Sequence, residues 1–307
     1  MKPRPGGIFA LLLCFLLSAG CASLPDAGPF LDASTQLRSG IASSGAVVES
    51  ELRRMEPGGK AYADRLAKEW TARVALGDAL VRYAESLQTI TKAGGEGREV
   101  VQSLADSVTT LASAAGVALP GAPVVGVAID AARFIYAQIA LARAARSLEE
   151  ALALAAPAVD ETAAVIANNL RSVDEILVLA STDLRRAART RLQDKLGFRE
   201  HWERQRDSLY SKKATAPELL RELEEANRLI ATTKEWYEPH EREMAEIARR
   251  SNAGRILIHA TADAVMQWAA AHRQLVGAIR DRRPVNPQSL IDATRELRDL
   301  TRRIREL

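Results

Sequence analysis

Few side chains in this chain of 307 residues are suited to chemistry. The soft and borderline ligands are four histidines, His201, His240, His259 and His272, and two cysteines, Cys14 and Cys21. Both cysteines fall within the first 21 residues, which leaves the body without a thiol for a disulfide, a zinc site or a nucleophile. A metal or acid–base site would therefore combine histidine with carboxylates. His259 and Asp263, at i and i+4, share one face of a helix and form the best such pair. His272 lies thirteen residues beyond His259, which is about 220° further round a helix, so a third ligand would have to come from another segment. His240 and His272 fall on an apolar seam, where a hydrogen-bonded core histidine is the expected role.

Other motifs fall short. Gly94-Gly95-Glu96-Gly97 lacks the preceding strand and the lysine of a phosphate cradle, and reads as a helix–helix turn. The run Gly40 to Gly45 misses the nucleophile-elbow spacing by one residue and has no sheet around it. Carboxylates such as Glu149, Glu150, Asp160, Glu161, Glu224 and Glu225 lie on the polar faces of amphipathic sequence. Trp70, Trp202, Trp236 and Trp268 could stack sugars, but their spacing suits packing between helices. The expectation is no catalytic residue, no cofactor and no metal.

The elements that would position these residues are helices. From Leu31 to Leu307 apolar residues recur at spacings of three and four, with no clear period-2 strand, so the fold class is all-α. One stripe runs Tyr62, Leu66, Trp70, Val74, Leu80, Ala84, Leu87, Ile90. A second runs Val159, Ala163, Ile166, Leu170, Val173, Leu177, Ala180, Leu184. Thr215-Ala216-Pro217-Glu218 marks a helix start. Beyond it Leu219, Leu223, Ala226, Ile230, Thr233, Tyr237, His240, Met244 and Ile247 keep a 3.5-residue repeat, continued by Ile258, Thr261, Val265, Trp268, His272, Leu275 and Ile279. Pro239 should kink or split this helix. A last helix follows Pro287, with Leu290, Leu297, Leu300 and Ile304 opposite Arg295, Arg298, Arg302 and Arg305. An elongated bundle of long amphipathic helices over residues 31–307 is the expected architecture.

One segment stands out. Between Asp106 and Asp130 lie 23 consecutive uncharged residues, broken at Leu119-Pro120-Gly121-Ala122-Pro123, and a second apolar patch follows Arg133. The pattern predicts a central apolar helical hairpin over about 107–142, each arm short for a bilayer that asks for ~20 residues. An apolar hairpin between long amphipathic helices resembles the layout of helical pore-forming toxins, which implies a capacity to enter membranes.

The start of the chain gives an address. Lys2 and Arg4 precede an apolar run from Ile8 to Leu17 and then small residues, the pattern of a secretory signal over 1–20. Leu17-Ser18-Ala19-Gly20-Cys21 resembles the lipobox of bacterial lipoproteins, with Ser18 where leucine is usual. The resemblance covers these residues alone. It implies cleavage before Cys21, attachment of diacylglycerol and palmitate there, and a membrane anchor. Ala22, rather than aspartate, then implies sorting to the outer membrane, facing the periplasm. Residues 21–30 would form the lipidated terminus and a tether.

The formal charge of +3 includes Lys2 and Arg4, so the body is close to neutral and nucleic acid is not an expected partner. Arg280, Arg282, Arg283, Arg302 and Arg303 form a modest basic region that could meet anionic headgroups. Together these features predict a lipid-anchored, non-enzymatic envelope scaffold or adaptor. It would present a helical seam, including Ile230 and Val265, to envelope proteins or to another copy of itself. A membrane-inserting hairpin is the alternative, and a metal site at His259 and Asp263 the third.

Overall fold

A computed structural model of the chain describes residues 26–55, 58–92, 98–117, 137–138, 140–145, 147–211, 216–281, 283 and 288–306. The described residues are helical and hold no strand, so the all-α expectation is met. The long helices are α1 (Gly28–Arg53), α2 (Gly59–Lys92), α3 (Arg98–Val117), α4 (Leu148–Arg191), α5 (Gln193–Ser211), α6 (Pro217–Thr232), α7 (Lys234–Asp281) and α8 (Gln288–Arg305). Cys21 and the signal segment lie outside the described residues, as do 118–136, the turn of the expected apolar hairpin. Among the described residues no helix is long and apolar enough to cross a membrane.

Helix α1 starts earlier than the expected tether allows. The Asp26 carboxylate accepts from the Gly28 N–H at 2.8 Å, and Pro29 occupies the first turn, where its missing N–H costs nothing. Phe30 is then drawn into the core, stacking on Trp268 with ring centroids 4.9 Å apart. Gly28 to Phe30 thus belong to the fold. The turn into α2 places Gly58 at φ 99°, a conformation that favours glycine. At α4 the Ser147 hydroxyl accepts from the Glu150 N–H at 3.2 Å, with Glu149 and Glu150 in the positive first turn.

Helices α1 and α2 form an antiparallel pair, α3 packs between α2 and α4, α7 packs on α1 and α4, and α8 lies on α1 and α7. Helix α3, which carries the first arm of the apolar segment from residue 107 on, buries Val101, Leu104, Ala105, Val108 and Leu111 and keeps Gln102, Ser103, Asp106 and Thr110 exposed. Arg143 returns alongside it, 3.0 Å from Asp106.

Small residues bring the axes together. The indole N–H of Trp70 donates to the Ile41 carbonyl at 2.8 Å through space left by Gly45, where a Cβ would overlap the Trp70 ring. A Cβ on Gly40 would lie 2.7 Å from Leu297 on α8, and one on Gly254 would lie 2.6 Å from Val47 on α1. At the centre Trp268, Tyr83 and His272 are fully buried. Trp268 donates to the Ser34 hydroxyl at 2.8 Å, which in turn donates to the Phe30 carbonyl at 2.8 Å.

Helices α4 and α5 on one side, and α6 and α7 on the other, make one antiparallel hairpin of constant register. Asp160 pairs with Arg273, Arg171 with Asp263, Arg255 with Asp174, Arg191 with Glu243, and Arg199 reaches Thr233. As one strand of the hairpin advances from 160 to 199, the other retreats from 273 to 233. A shared register over that length is what a 3.5-residue seam specifies.

Only half of this hairpin lies in the body. Phe30 at the start of α1 meets Trp268, and Glu51 near its end meets Arg250 at 2.6 Å, so α1 covers α7 from about 268 back to 250. Residues 217–249 and their partners through α5 continue beyond. Helices α5 and α6 pack on each other and touch α4 and α7 only where the chain passes into them. The result is a two-helix stalk leaving the end of the body opposite the N-terminus of α1. Along α6 and α7, the 55 residue steps from Pro217 to His272 span about 80 Å.

Candidate functional site

The histidine–carboxylate pair of the third alternative, His259 and Asp263, is taken up by helix packing. His259 Nε2 lies 3.3 Å from Asp174 on α4, which Arg255 also holds at 2.9 Å, whereas Asp263 pairs with Arg171 at 2.9 Å. Burial works against the Asp174 carboxylate, yet the hydrogen bonds from Arg255 and His259 keep it below the usual range. His259 and Asp263 each tie α7 to α4 through a different partner. Among the described residues no group of three His, Cys, Asp or Glu is placed to hold a metal ion.

His272 is fully buried, with Nε2 2.6 Å from the Tyr83 hydroxyl and Nδ1 without a partner. Burial pushes its imidazole from 6.5 down to about 3 and raises the Tyr83 phenol, so both stay neutral in the core. His240 is buried too. These two are core histidines, as their place on the seam indicates.

Glu51 is the buried carboxylate that sequence patterning missed, since it occupies the apolar stripe of α1. Arg54 meets it at 2.8 Å and Arg250 at 2.6 Å, and Arg250 also donates to the Ser50 hydroxyl at 2.9 Å. The group walls a cleft of about 250 Å³ with Val47, Gly254 and Ile304 at the foot of the stalk. Its carboxylate oxygens are both engaged, which makes it a joint between α1 and α7. The basic residues near the end of the chain divide: Arg280 and Arg283 pair with Asp281 at 2.8 and 3.4 Å near the start of α1, and Arg302 pairs with Asp299 at 3.1 Å on α8.

The stalk is the surface with unmet packing. In a chain only 5% aromatic, Phe198, Trp202, Tyr210, Trp236 and Tyr237 fall within 40 residues. Phe198 and Trp202 face the same way as buried Leu209, yet Phe198 is 44% exposed and Trp202 half-buried. On α6 only Ala226 is buried, while Leu219, Leu223, Leu229 and Ile230 stay half-buried and Leu220 is 43% exposed. Two helices cannot close a core alone. Arg199 braces the same level: its guanidinium lies 3.7 Å from the Tyr237 ring centre, donates to the Thr233 hydroxyl and pairs with Glu203 at 2.8 Å.

The expected partner-facing seam is therefore divided. Val265 and the rest of its second half are buried inside the body, where Thr261 and Trp268 meet α1 and His272 meets α2, and the first half, with Ile230, stays half-open in the stalk. Trp70 and Trp268 are buried as well, so among the four tryptophans only Trp202 and Trp236 reach the surface. The cluster of aromatics between 198 and 237 was the available signal for this surface. Compared with known proteins, the chain matches no family model, no curated protein and no solved structure.

Proposed function

We propose that the chain is a bacterial lipoprotein of the outer membrane, facing the periplasm, that acts as a non-enzymatic scaffold or adaptor: a lipid at Cys21 holds the bundle and the stalk presents an interaction surface away from the bilayer. The observation that carries this reading is the polarity of the fold. Helix α1 begins seven residues after Cys21, and the stalk leaves the opposite end of the body, its tip at Pro217 about 80 Å along α6 and α7 from the level of Phe30. The open apolar face lies on that stalk. The histidines and carboxylates best spaced for chemistry are committed to contacts between helices, which favours an interaction role over a catalytic one.

The alternative, insertion of the apolar hairpin, rests on the sequence of 107–142. Helix α3, which carries its first arm, packs on α2 and α4. It packs antiparallel to α2, with Ser86 beside Ser103, and so runs away from the end at which α1 begins.

Membrane fractionation tests the anchor. The wild-type chain is expected in the membrane fraction with acyl groups on the peptide beginning at Cys21, and Cys21→Ser in the soluble fraction. A wild-type chain that stays soluble and unacylated overturns the reading.

A further inference from the structure

The half-buried face of the stalk calls for an occupant, and its length, charge and orientation together indicate which. We infer that the stalks of two copies of this chain pair side by side into a four-helix bundle, with both anchors in the same membrane. This names a partner for the scaffold proposed above and rests on that reading only for the shared membrane.

The first argument is packing. Among the described residues, α5 and α6 pack chiefly on each other, with α7 reaching α5 only at its start, where Arg199 lies on the Tyr237 ring. They bury Leu209 and Ala226 but leave Phe198, Tyr210 and Leu220 exposed and their seam neighbours half-covered. This is the seam of a bundle with half of its helices missing. A second hairpin laid over it completes four helices around one core, the arrangement of a four-helix bundle.

The second argument is area. Helix α5 has 19 residues and α6 has 16, so the open layer is about 25–30 Å long at 1.5 Å per residue. Two helices about 9 Å apart present a face roughly 20 Å wide. The pair would then bury on the order of 1,000–1,200 Å² in total, the size at which specific interfaces begin. Its aromatic and arginine content, Phe198, Trp202, Trp236, Tyr237 and Arg199, is that of interface centres.

The third argument is charge. Helix α5 (Gln193–Ser211) carries four cations and four anions and is neutral, whereas α6 (Pro217–Thr232) carries two cations and four anions and is −2. A two-fold axis along the stalk sets α5 of each copy beside α6 of the other, so the two −2 helices are kept apart and no like-charged helices are adjacent. The same axis leaves both α1 helices starting at one end, as anchors in a single bilayer require. A tip-to-tail pairing would place the anchors at opposite ends.

The test uses the full chain, expressed in a bacterial host and extracted in detergent. Light scattering after size exclusion is expected to give the protein mass of two copies. Tyr210→Cys and Leu220→Cys, level with each other near the tip, should each be bridged to a dimer by a bismaleimide in intact cells, and Glu175→Cys on the body should not. Phe198→Glu should raise the dimer dissociation constant at least tenfold while helicity by circular dichroism is unchanged, and Leu220→Glu, on an exposed flank, should act in the same direction. A one-copy mass from helical protein overturns the inference. So does a dimer that both glutamate variants leave intact, or a tip cysteine that crosslinks only to a different protein. The anchor is scored separately: Cys21→Ser should be soluble and still dimeric, so a loss of membrane binding and a loss of pairing are told apart.

Discussion

Gly45 faces Trp70 so closely that any side chain there would displace the indole and its hydrogen bond to the Ile41 carbonyl. Gly45→Ala is therefore expected to destabilise the chain by about 3 kcal/mol, at the upper end of overpacking costs, measured by urea unfolding. A change under about 0.5 kcal/mol, typical of a surface site, would contradict the packing described. His272 sets a pH dependence. Its imidazole stays neutral in the fold down to about pH 3, whereas in the unfolded chain it takes up a proton near 6.5. The unfolded chain binds the extra proton between those values, so this contribution is intact above pH 6.5 and is lost as the pH falls toward 3. The slope from one residue is at most about 1.4 kcal/mol per pH unit. His272→Phe should be less stable at pH 7, because the Tyr83 hydroxyl loses its partner, yet show a shallower decline between pH 6.5 and 4.5; an unchanged slope would assign the acid sensitivity elsewhere. The core role of His240 and His272 was legible from their seam positions. The partners of His259 and Asp263 were not, because Asp174 and Arg171 become neighbours only through the register of α4 against α7.

Among the elements, the 3.5-residue repeat from Leu219 to Ile279 does form one long antiparallel seam. The break expected at Pro239 falls elsewhere. Helix α7 runs through Pro239, which stands in its second turn and gives up only the bond to the Glu235 carbonyl, and the chain turns instead at Thr233. A matching turn at Leu192 separates α4 from α5, with exposed Gly197 just beyond. These features share one level of the stalk, where Arg199 bridges α5 to Thr233 and Tyr237. Arg199→Ala should speed amide exchange at 230–241 by about tenfold, the loss of one charge-assisted bond of ~1.5 kcal/mol. Exchange at 257–279 should not change, and equal protection in both segments would deny Arg199 this bracing role. The helices were readable because their periods are local. Glu51 was not, because a carboxylate on an apolar stripe is explained only by Arg54 and Arg250 arriving from other turns and another helix.

For the whole molecule, the sequence announced an all-α bundle and an anchor signal but not the stalk. The same heptad pattern covers Val265, buried in the body, and Ile230, half-open beyond it, and only the end of α1 near Glu51 decides where cover stops. The scaffold reading predicts that dye-loaded liposomes carrying the lipidated chain stay sealed, whereas leakage would favour the hairpin-insertion alternative. The most direct measurement of the central claim is energy transfer from single donors on the lipidated chain to an acceptor lipid in those liposomes. A donor at Arg283→Cys, near the end at which α1 starts, should transfer strongly, and one at Leu220→Cys on the stalk, about 90 Å away along α6 and α7, should not. Equal transfer from both positions, or a lipidated chain that leaves the liposomes, would contradict an anchored bundle that holds its stalk clear of the membrane.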